Sequence, residues 1–299
     1  MRPRQWIKNL FIFAPLIFSG ELFNTEYLNK SFLAFFYFCA VASSIYILND
    51  IIDLEKDRKH PIKKNRPIAS GKISVNLATV FSLILLIIFV PSSFVFVGTY
   101  FGVILSTYIV LQILYNLKLK DLIIIDALTI TIGFILRVYA GALAISISVS
   151  SWLILAVIGL SLLLSFGKRR AERTLLEAQG ISKEQTRKIL RHYPDNLLDS
   201  MISMSATFAI ITYSLFAFQA SPTQIGEFSY LLPVTLASAK WLMLTIPIVI
   251  YGVARYLYVI YEKKEGESPD RILLKDKPLF FTALIWGFFV ILLMNSYEN

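Results

Sequence analysis

The sequence predicts an all-α membrane protein, a bundle of about nine transmembrane helices. Three observations carry this. Of the 299 residues, 56% are hydrophobic and only 16% charged, where soluble domains carry about 25%. Mean hydropathy is +0.65. The apolar residues fall in runs near the roughly 20 residues that a helix needs to cross a hydrocarbon core. Almost all the basic residues lie between those runs, on alternate connections.

Taken in order, the runs are 6–22, 30–49, 75–95, 97–116, 122–145, 149–167, 201–219, 238–261 and 278–295. Pro15 interrupts the first and Glu21 ends it, so this run is expected to be tilted or partly interfacial. Pro91, Ser92, Ser93 and Gly98 divide the third from the fourth. No polar stretch is long enough to fold alone, so residues 1–299 read as one transmembrane domain. The stretch 174–200 reads as a polar helix with Asp195 and Asp199 near its end.

Basic residues set the orientation. The N-terminus and the connections 50–74, 117–121, 168–200 and 262–277 hold 25 of the 29 Lys and Arg. With nine spans, these five regions share one side, expected to be the cytoplasm, with the C-terminus opposite. No small-residue cleavage site follows the first run, so it is expected to stay as a membrane segment of a multi-pass protein in the cell membrane.

This distribution also excludes classes of function. The net charge of +9 sits in loops between spans, which argues against nucleic acid. A transporter would place polar residues through several spans or break paired helices, and only Asp126 and Arg137 stand out as intramembrane charges. Cys39, the one cysteine, lies in an apolar run and reads as an inert buried thiol. His60 and His192 are too few for a histidine metal site.

The segment Asn49-Asp50-Ile51-Ile52-Asp53-Leu54-Glu55-Lys56-Asp57-Arg58 closes the second run. At about 100° per residue, Asp50, Asp53 and Asp57 fall within a sector of roughly 60°, with Glu55 turned away. Carboxylates on one stripe repel unless a cation lies between them. Mg²⁺ suits the place, because it takes oxygen ligands from one or two carboxylates plus substrate phosphates. Asn49 adds a neutral oxygen. Arg58, Lys63 and Arg66 follow at once, and acids that hold a metal beside bases that hold phosphate make a diphosphate site.

A second constellation spans Tyr115, Lys118, Lys120 and Asp121, then Asp126 and Arg137. Asp126 and Arg137 share a small, polar sector of one helix but lie about 16 Å apart along it, so they do not pair with each other. Ionisable residues in a span usually face the protein interior. For Arg137 the alternatives are a cavity wall or an ion pair with an acid elsewhere. For Asp126 they are a site role or a helix-start acid near the positive dipole end. Lys168, Arg169 and Arg170 read either as an anion clasp or as a basic anchor.

These residues carry a family likeness. Asn49-Asp-x-x-Asp53-x-x-x-Asp57 resembles the first aspartate motif of the UbiA-type intramembrane prenyltransferases. Those are nine-helix bundles around a cavity open to the cytoplasm and laterally to lipid. Further segments resemble one branch, the decaprenyl-phosphate phosphoribosyltransferases. They are Arg2-Pro3-Arg4-Gln5-Trp6-Ile7-Lys8-Asn9, His60-Pro61-x-Lys63-x-x-Arg66-Pro67, Arg137-x-x-Ala140-Gly141, Lys168-Arg169-Arg170-x-Glu172 and Gly266-Glu267-Ser268-Pro269. The likeness covers essentially the whole chain.

The resemblance implies Mg²⁺-dependent transfer of 5-phosphoribose from phosphoribosyl diphosphate to a polyprenyl phosphate, in membrane lipid, as part of cell-wall biogenesis. It implies metal binding by Asn49, Asp50, Asp53 and Asp57, and phosphate contacts from Lys8, Lys63, Arg66, Lys118, Lys120 and Lys168 to Arg170. Asp126 is implied to face the sugar, and Trp6 is expected where the isoprenoid tail would lie along apolar grooves between helices. The alternative within the superfamily is prenylation of an aromatic ring. Its second aspartate motif has carboxylates four apart, whereas Asp121 and Asp126 are five apart and flanked by lysines. The sequence leaves the oligomeric state open, a homo-oligomer included.

Overall fold

In the computed structural model, the described residues are 3–59, 63–178, 193–221, 240–262 and 269–295, and among them the ordered elements are all helical. A 3₁₀ helix, Pro3–Phe13, runs into α1, Ala14–Phe18. There follow α2, Thr25–Ile52, and the short α3, Leu54–Lys59. Next come α4, Val75–Phe96, α5, Thr99–Leu117, α6, Ile125–Ile145, and α7, Ser151–Ala178. The chain ends with α8, Asp195–Ala220, α9, Ile246–Tyr261, α10, Pro269–Lys275, and α11, Lys277–Asn295.

Among the described residues, eight helices are long and apolar enough to cross a membrane, and α9 reaches that length with the 3₁₀ turn Trp241–Thr245 before it. The chain is a multi-pass membrane protein. The expected first span is different. Its helical part is only 16 residues, too short for an α-helical crossing. A 3₁₀ helix rises about 2.0 Å per residue against 1.5 Å for α, so this segment still extends about 30 Å. Its far end meets the end of α11, where Leu22 N donates to Asn295 Oδ1 at 3.1 Å.

Three residues per turn sort the N-terminal side chains into stripes. Trp6, Asn9, Ile12 and Pro15 pack inward. The Trp6 indole N–H donates to Ser43 on α2 at 3.0 Å, and the ring does not line the cavity. Asn9 donates to Cys39 Sγ at 3.1 Å, which gives the buried thiol a packing role. Gln5, Lys8, Phe11, Ala14 and Ile17 form the next stripe and line the central cavity. Close approach to α6 needs Gly141, where an added Cβ would lie 1.9 Å from the Ile12 carbonyl oxygen.

Burial separates inner from outer helices. The apolar windows of α2 and α6 are 67% buried, that of α4 only 17%. Residues such as Leu77, Ile87 and Val95 on α4 are exposed, as expected for a lipid-facing surface. Helix α7 packs most extensively against α8, with Gly159 close against Ala209, the small-residue contact typical of membrane helices.

Several boundaries differ from the sequence reading. Helix α4 runs through Pro91, and the break comes at Gly98, whose φ of +142° glycine tolerates. Helix α7 continues past residue 167 to Ala178, because Ala171 to Ala178 are good helix formers although polar. Asp195 and Asp199 sit in the first turns of α8 rather than ending a polar helix. Arg255 is a further charge within a span. Its guanidinium grips Asp276 at 3.0 and 2.9 Å, and Asp276 also accepts from Leu279 N, which ties α9 to the start of α11. His60, His192, Lys183 to Arg191 and Gly266 to Ser268 lie outside the described residues, as do the side chains of Arg2, Arg4 and Lys63.

Candidate active site

Helix α2 carries Tyr46, Asn49 and Asp53 at helical spacing, and all three line a cavity of about 1250 Å³. Helix α5 faces them with Tyr108, Gln112 and Tyr115, again one stripe. Lys8, Arg66, Lys168 and Glu172 add charge, while Phe11, Ile17, Ile130, Val249 and Trp286 make the apolar part. The wall thus joins a charged corner to an apolar chamber.

The charged corner is built where α2 ends. Asp53 caps that helix, and Asp57 N donates to Asp53 O at 2.8 Å, so the turn carries on nearly helically into α3. Asp50 and Asp57 lie close enough to share one arginine, while Asp53 takes a separate partner. Each is paired with a base from elsewhere in the chain. Arg66 Nη1 donates to Asp50 Oδ1 at 3.0 Å and to Asp57 Oδ2. Lys120, from the turn after α5, donates to Asp53 Oδ1 at 3.0 Å. The loops after α2 and α5 therefore meet at one end of the bundle.

The donor set suits a hard cation. It offers three carboxylates, and Asn49 Oδ1 is buried with no hydrogen-bond partner, an orphan acceptor that costs about 1–3 kcal/mol and that a cation would satisfy. Among the described residues no three ligands are already gathered at metal-binding spacing. That agrees with Mg²⁺ chemistry, in which one or two carboxylates act with substrate phosphates and water.

The second constellation divides. Asp126 is fully buried and does not line the cavity. Arg169 Nε donates to its Oδ2 at 2.8 Å, and the Tyr193 hydroxyl donates to its Oδ1 at 2.8 Å. Burial pushes the Tyr193 hydroxyl well above its ordinary pKa, against the pull of the Ile124 N–H that donates to it, so Tyr193 keeps its proton. The same N–H, at 2.6 Å, pins a strained turn. Ile124 has φ +68° and ψ −44°, and Ile125 N reaches Ile123 O at 2.7 Å, a positive-φ γ-turn that a β-branched residue rarely adopts.

Of the basic triplet, only Lys168 lines the cavity. Arg169 is 2% exposed and turned to Asp126, Glu172 and the Tyr115 hydroxyl. Arg170 pairs with Asp195 and Asp199 on α8. The expected clasp is thus one lysine beside two structural arginines. Arg58 donates to the Ala69 carbonyl at 3.4 Å, and Lys118 is exposed, so neither reaches the cavity wall.

Arg137 is buried and on the wall. Its three hydrogen bonds all go to neutral oxygens, Asn9 Oδ1 at 2.8 Å, Gly133 O at 2.6 Å and Tyr108 OH at 3.0 Å. Phe38, Tyr108 and Phe134 stack around it, which stabilises the cation by ring quadrupoles. Among the described residues Arg137 forms no ion pair with a distant acid, one of the two alternatives. Sequence reasoning missed Tyr46, Tyr108, Gln112, Tyr193 and the cavity face of Glu172. The first three had a legible signal, polar residues at i, i+3/i+4, i+7 inside apolar runs.

Comparison with known proteins agrees with this geometry. Residues 11–171 match the UbiA prenyltransferase family. The chain is 32% identical over 295 residues to a decaprenyl-phosphate phosphoribosyltransferase of Corynebacterium glutamicum, covering 98% of this chain and 84% of that protein. It is 33% identical over 290 residues to the protein of the same name from Mycolicibacterium smegmatis, covering 96% and 88%. Among solved structures, a UbiA homologue from Archaeoglobus fulgidus bound to DMAPP and Mg²⁺ superimposes with a TM-score of 0.68 at 17% identity, covering 99% of this chain and 98% of the other. The chain belongs to the UbiA prenyltransferase family.

Proposed function

We propose that this protein transfers 5-phosphoribose from phosphoribosyl diphosphate to a polyprenyl phosphate and releases diphosphate, with the charged end of the bundle facing the cytoplasm. The observation that carries the reading is the charged corner, where Asp53, Asp57, Arg66, Lys8 and Lys168 line the polar part of an apolar cavity and Asp50 joins them through Arg66. Near full-length likeness to two proteins named for that reaction supports it.

The residues divide the work by position. Asp50, Asp53, Asp57 and Asn49 hold the metal side of the diphosphate. A bound Mg²⁺ supplies charge neutralisation to the leaving group. Lys8, on the N-terminal 3₁₀ segment, and Lys168, on α7, supply cations for phosphate oxygens. The bond from the anomeric carbon to the diphosphate oxygen breaks, and one oxygen of the lipid phosphate forms the new bond from the opposite face. That oxygen is already anionic, so no general base is required. Apolar residues such as Phe11 and Ile130 take the isoprenoid chain and keep water from the cationic sugar.

The second reading, prenylation of an aromatic ring, draws on the Archaeoglobus homologue solved with DMAPP. The geometry favours the first reading. The superfamily's second aspartate motif corresponds here to exposed Asp121 and sealed Asp126, neither on the cavity wall. Purified protein incubated with Mg²⁺, phosphoribosyl diphosphate and a polyprenyl phosphate should give a lipid heavier by one phosphoribosyl unit by mass spectrometry, and none with EDTA. No such product, with prenylation of 4-hydroxybenzoate from a prenyl diphosphate instead, would replace the first reading by the second.

A further inference from the structure

Arg66 stands in the place of a metal. A single nitrogen, Nη1, donates to Asp50 Oδ1 at 3.0 Å and to Asp57 Oδ2 as well. These two side chains are 10% and 6% exposed, and two such carboxylates repel across a poorly solvated gap unless a positive charge lies between them. Arg66 itself is 26% exposed on the cavity wall and is delivered by the loop after α3 rather than by a spanning helix. Lys120 does the same for Asp53 from another loop. A cation bound by Asp50 and Asp57 would meet the Arg66 guanidinium in its own position.

We infer that Arg66 is a resident counter-cation of the metal site, which a divalent ion displaces and which then turns to an oxygen of the diphosphate. The inference rests on the reading of Asp50, Asp53 and Asp57 as the metal and diphosphate corner. Its physical basis is exclusion. Two cations do not share the gap between Asp50 and Asp57, because the carboxylate oxygens that Arg66 occupies are those the metal needs. Once displaced, a guanidinium at the cavity wall has lost its two anions, and the nearest replacement is the anionic leaving group brought by the donor. Metal and diphosphate then bind cooperatively through one side chain: the metal frees Arg66, and the diphosphate gives it a partner. Binding either ligand favours the other by the same factor.

The test uses Mn²⁺ as a spectroscopic probe for the metal and inorganic pyrophosphate for the leaving group, on full-length protein in detergent without any lipid acceptor. Free Mn²⁺ is read by electron paramagnetic resonance. Without pyrophosphate, Arg66→Gln should bind Mn²⁺ about tenfold more tightly than the wild type, since the competing cation is gone. With Mn²⁺ saturating, the same variant should bind pyrophosphate about tenfold more weakly. If Arg66→Gln does not fold, Arg66→Lys serves, and its smaller, more flexible ammonium should also yield to Mn²⁺ more readily than the wild type. Equal or weaker Mn²⁺ binding in the variants overturns the inference while leaving the phosphoribosyl reading intact. Loss of Mn²⁺ binding in the wild type, with transfer still supported, would overturn the metal corner instead.

Discussion

Two aspartate–arginine contacts in this bundle use the same chemistry and differ in access. Asp50 and Asp57 share Arg66, which sits 26% exposed on the cavity wall and comes from a loop. Asp126 holds Arg169, both are at most 2% exposed, and both come from spanning helices. The first pairing is open to exchange with ligand ions. The second is closed, and every oxygen of its carboxylate is taken by Arg169 or Tyr193. A charge inside a membrane protein therefore reads as functional only when its partner is replaceable. A sealed pair marks how the site is positioned, here by fixing α6 to α7 beside the Tyr115 hydroxyl.

The largest difference between the two should appear on removing one carboxylate charge. Asp53→Asn is expected to cut phosphoribosyl transfer by about 10²–10³-fold, with at most a small drop in melting temperature in detergent, because the role proposed for Asp53 is at the metal and its Lys120 contact joins two loops rather than packed helices. Asp126→Asn should do the reverse first. It leaves buried Arg169 with only the more distant Glu172 carboxylate, at 3.4 Å, at a cost of up to about 3–5 kcal/mol, read as a lowered melting temperature or loss of folded protein. A double variant, Asp126→Leu with Arg169→Met, removes both charges and should restore most of that stability. Folded double variant that turns over normally would confine Asp126 to positioning. Folded but inactive protein would return Asp126 to the reacting groups.

A smaller effect tests whether the N-terminal segment is a wall of the site. Gly141→Ala would bring a methyl to 1.9 Å from the Ile12 carbonyl oxygen, so the 3₁₀ segment must move. Overpacking of this kind costs about 1–3 kcal/mol. Because Lys8 is carried on that segment, the KM for the sugar donor should rise more than kcat falls. A variant that melts earlier with both constants unchanged would show that the segment only packs.

Much of this was legible in the sequence, for reasons particular elements show. The long apolar runs find all eight spans and match α4, α5, α6 and α11 closely at both ends, since lipid exposure leaves hydrophobic residues all round a helix such as α4, whereas the start of α8 at Asp195 was hidden by polar residues. The Asp50–Asp53–Asp57 stripe was readable because it depends only on helical spacing over eight residues. Hydropathy marks where lipid ends rather than where a helix ends, which is why α7 outran its apolar run. The inner stripe of the N-terminal segment was not read because its period is three, visible in Trp6, Asn9, Ile12 and Pro15, and an α-helical reading blurs that stripe. The fate of Asp126 was not legible at all. Whether it lines the cavity depends on Arg169 and Tyr193, 43 and 67 residues away in sequence, and a helical wheel for α6 does not contain them.

The smallest expected effect has the opposite sign and probes the strain beside the closed pair. Ile124 holds φ +68°, a conformation costing about 1–3 kcal/mol for a non-glycine residue, and its side chain is 36% exposed, so it packs little. Ile124→Gly should raise stability by about 1 kcal/mol, the strain relieved less the extra entropy glycine loses on folding. The Tyr193 hydroxyl bond to the residue 124 N–H is a backbone contact and survives the change. If the melting temperature rises and transfer is unaffected, the γ-turn is a consequence of seating Asp126 under Tyr193. If stability rises and transfer falls, the strained turn itself aims Lys120 at Asp53, four residues upstream of Ile124, and the closed pair governs the open one through this turn.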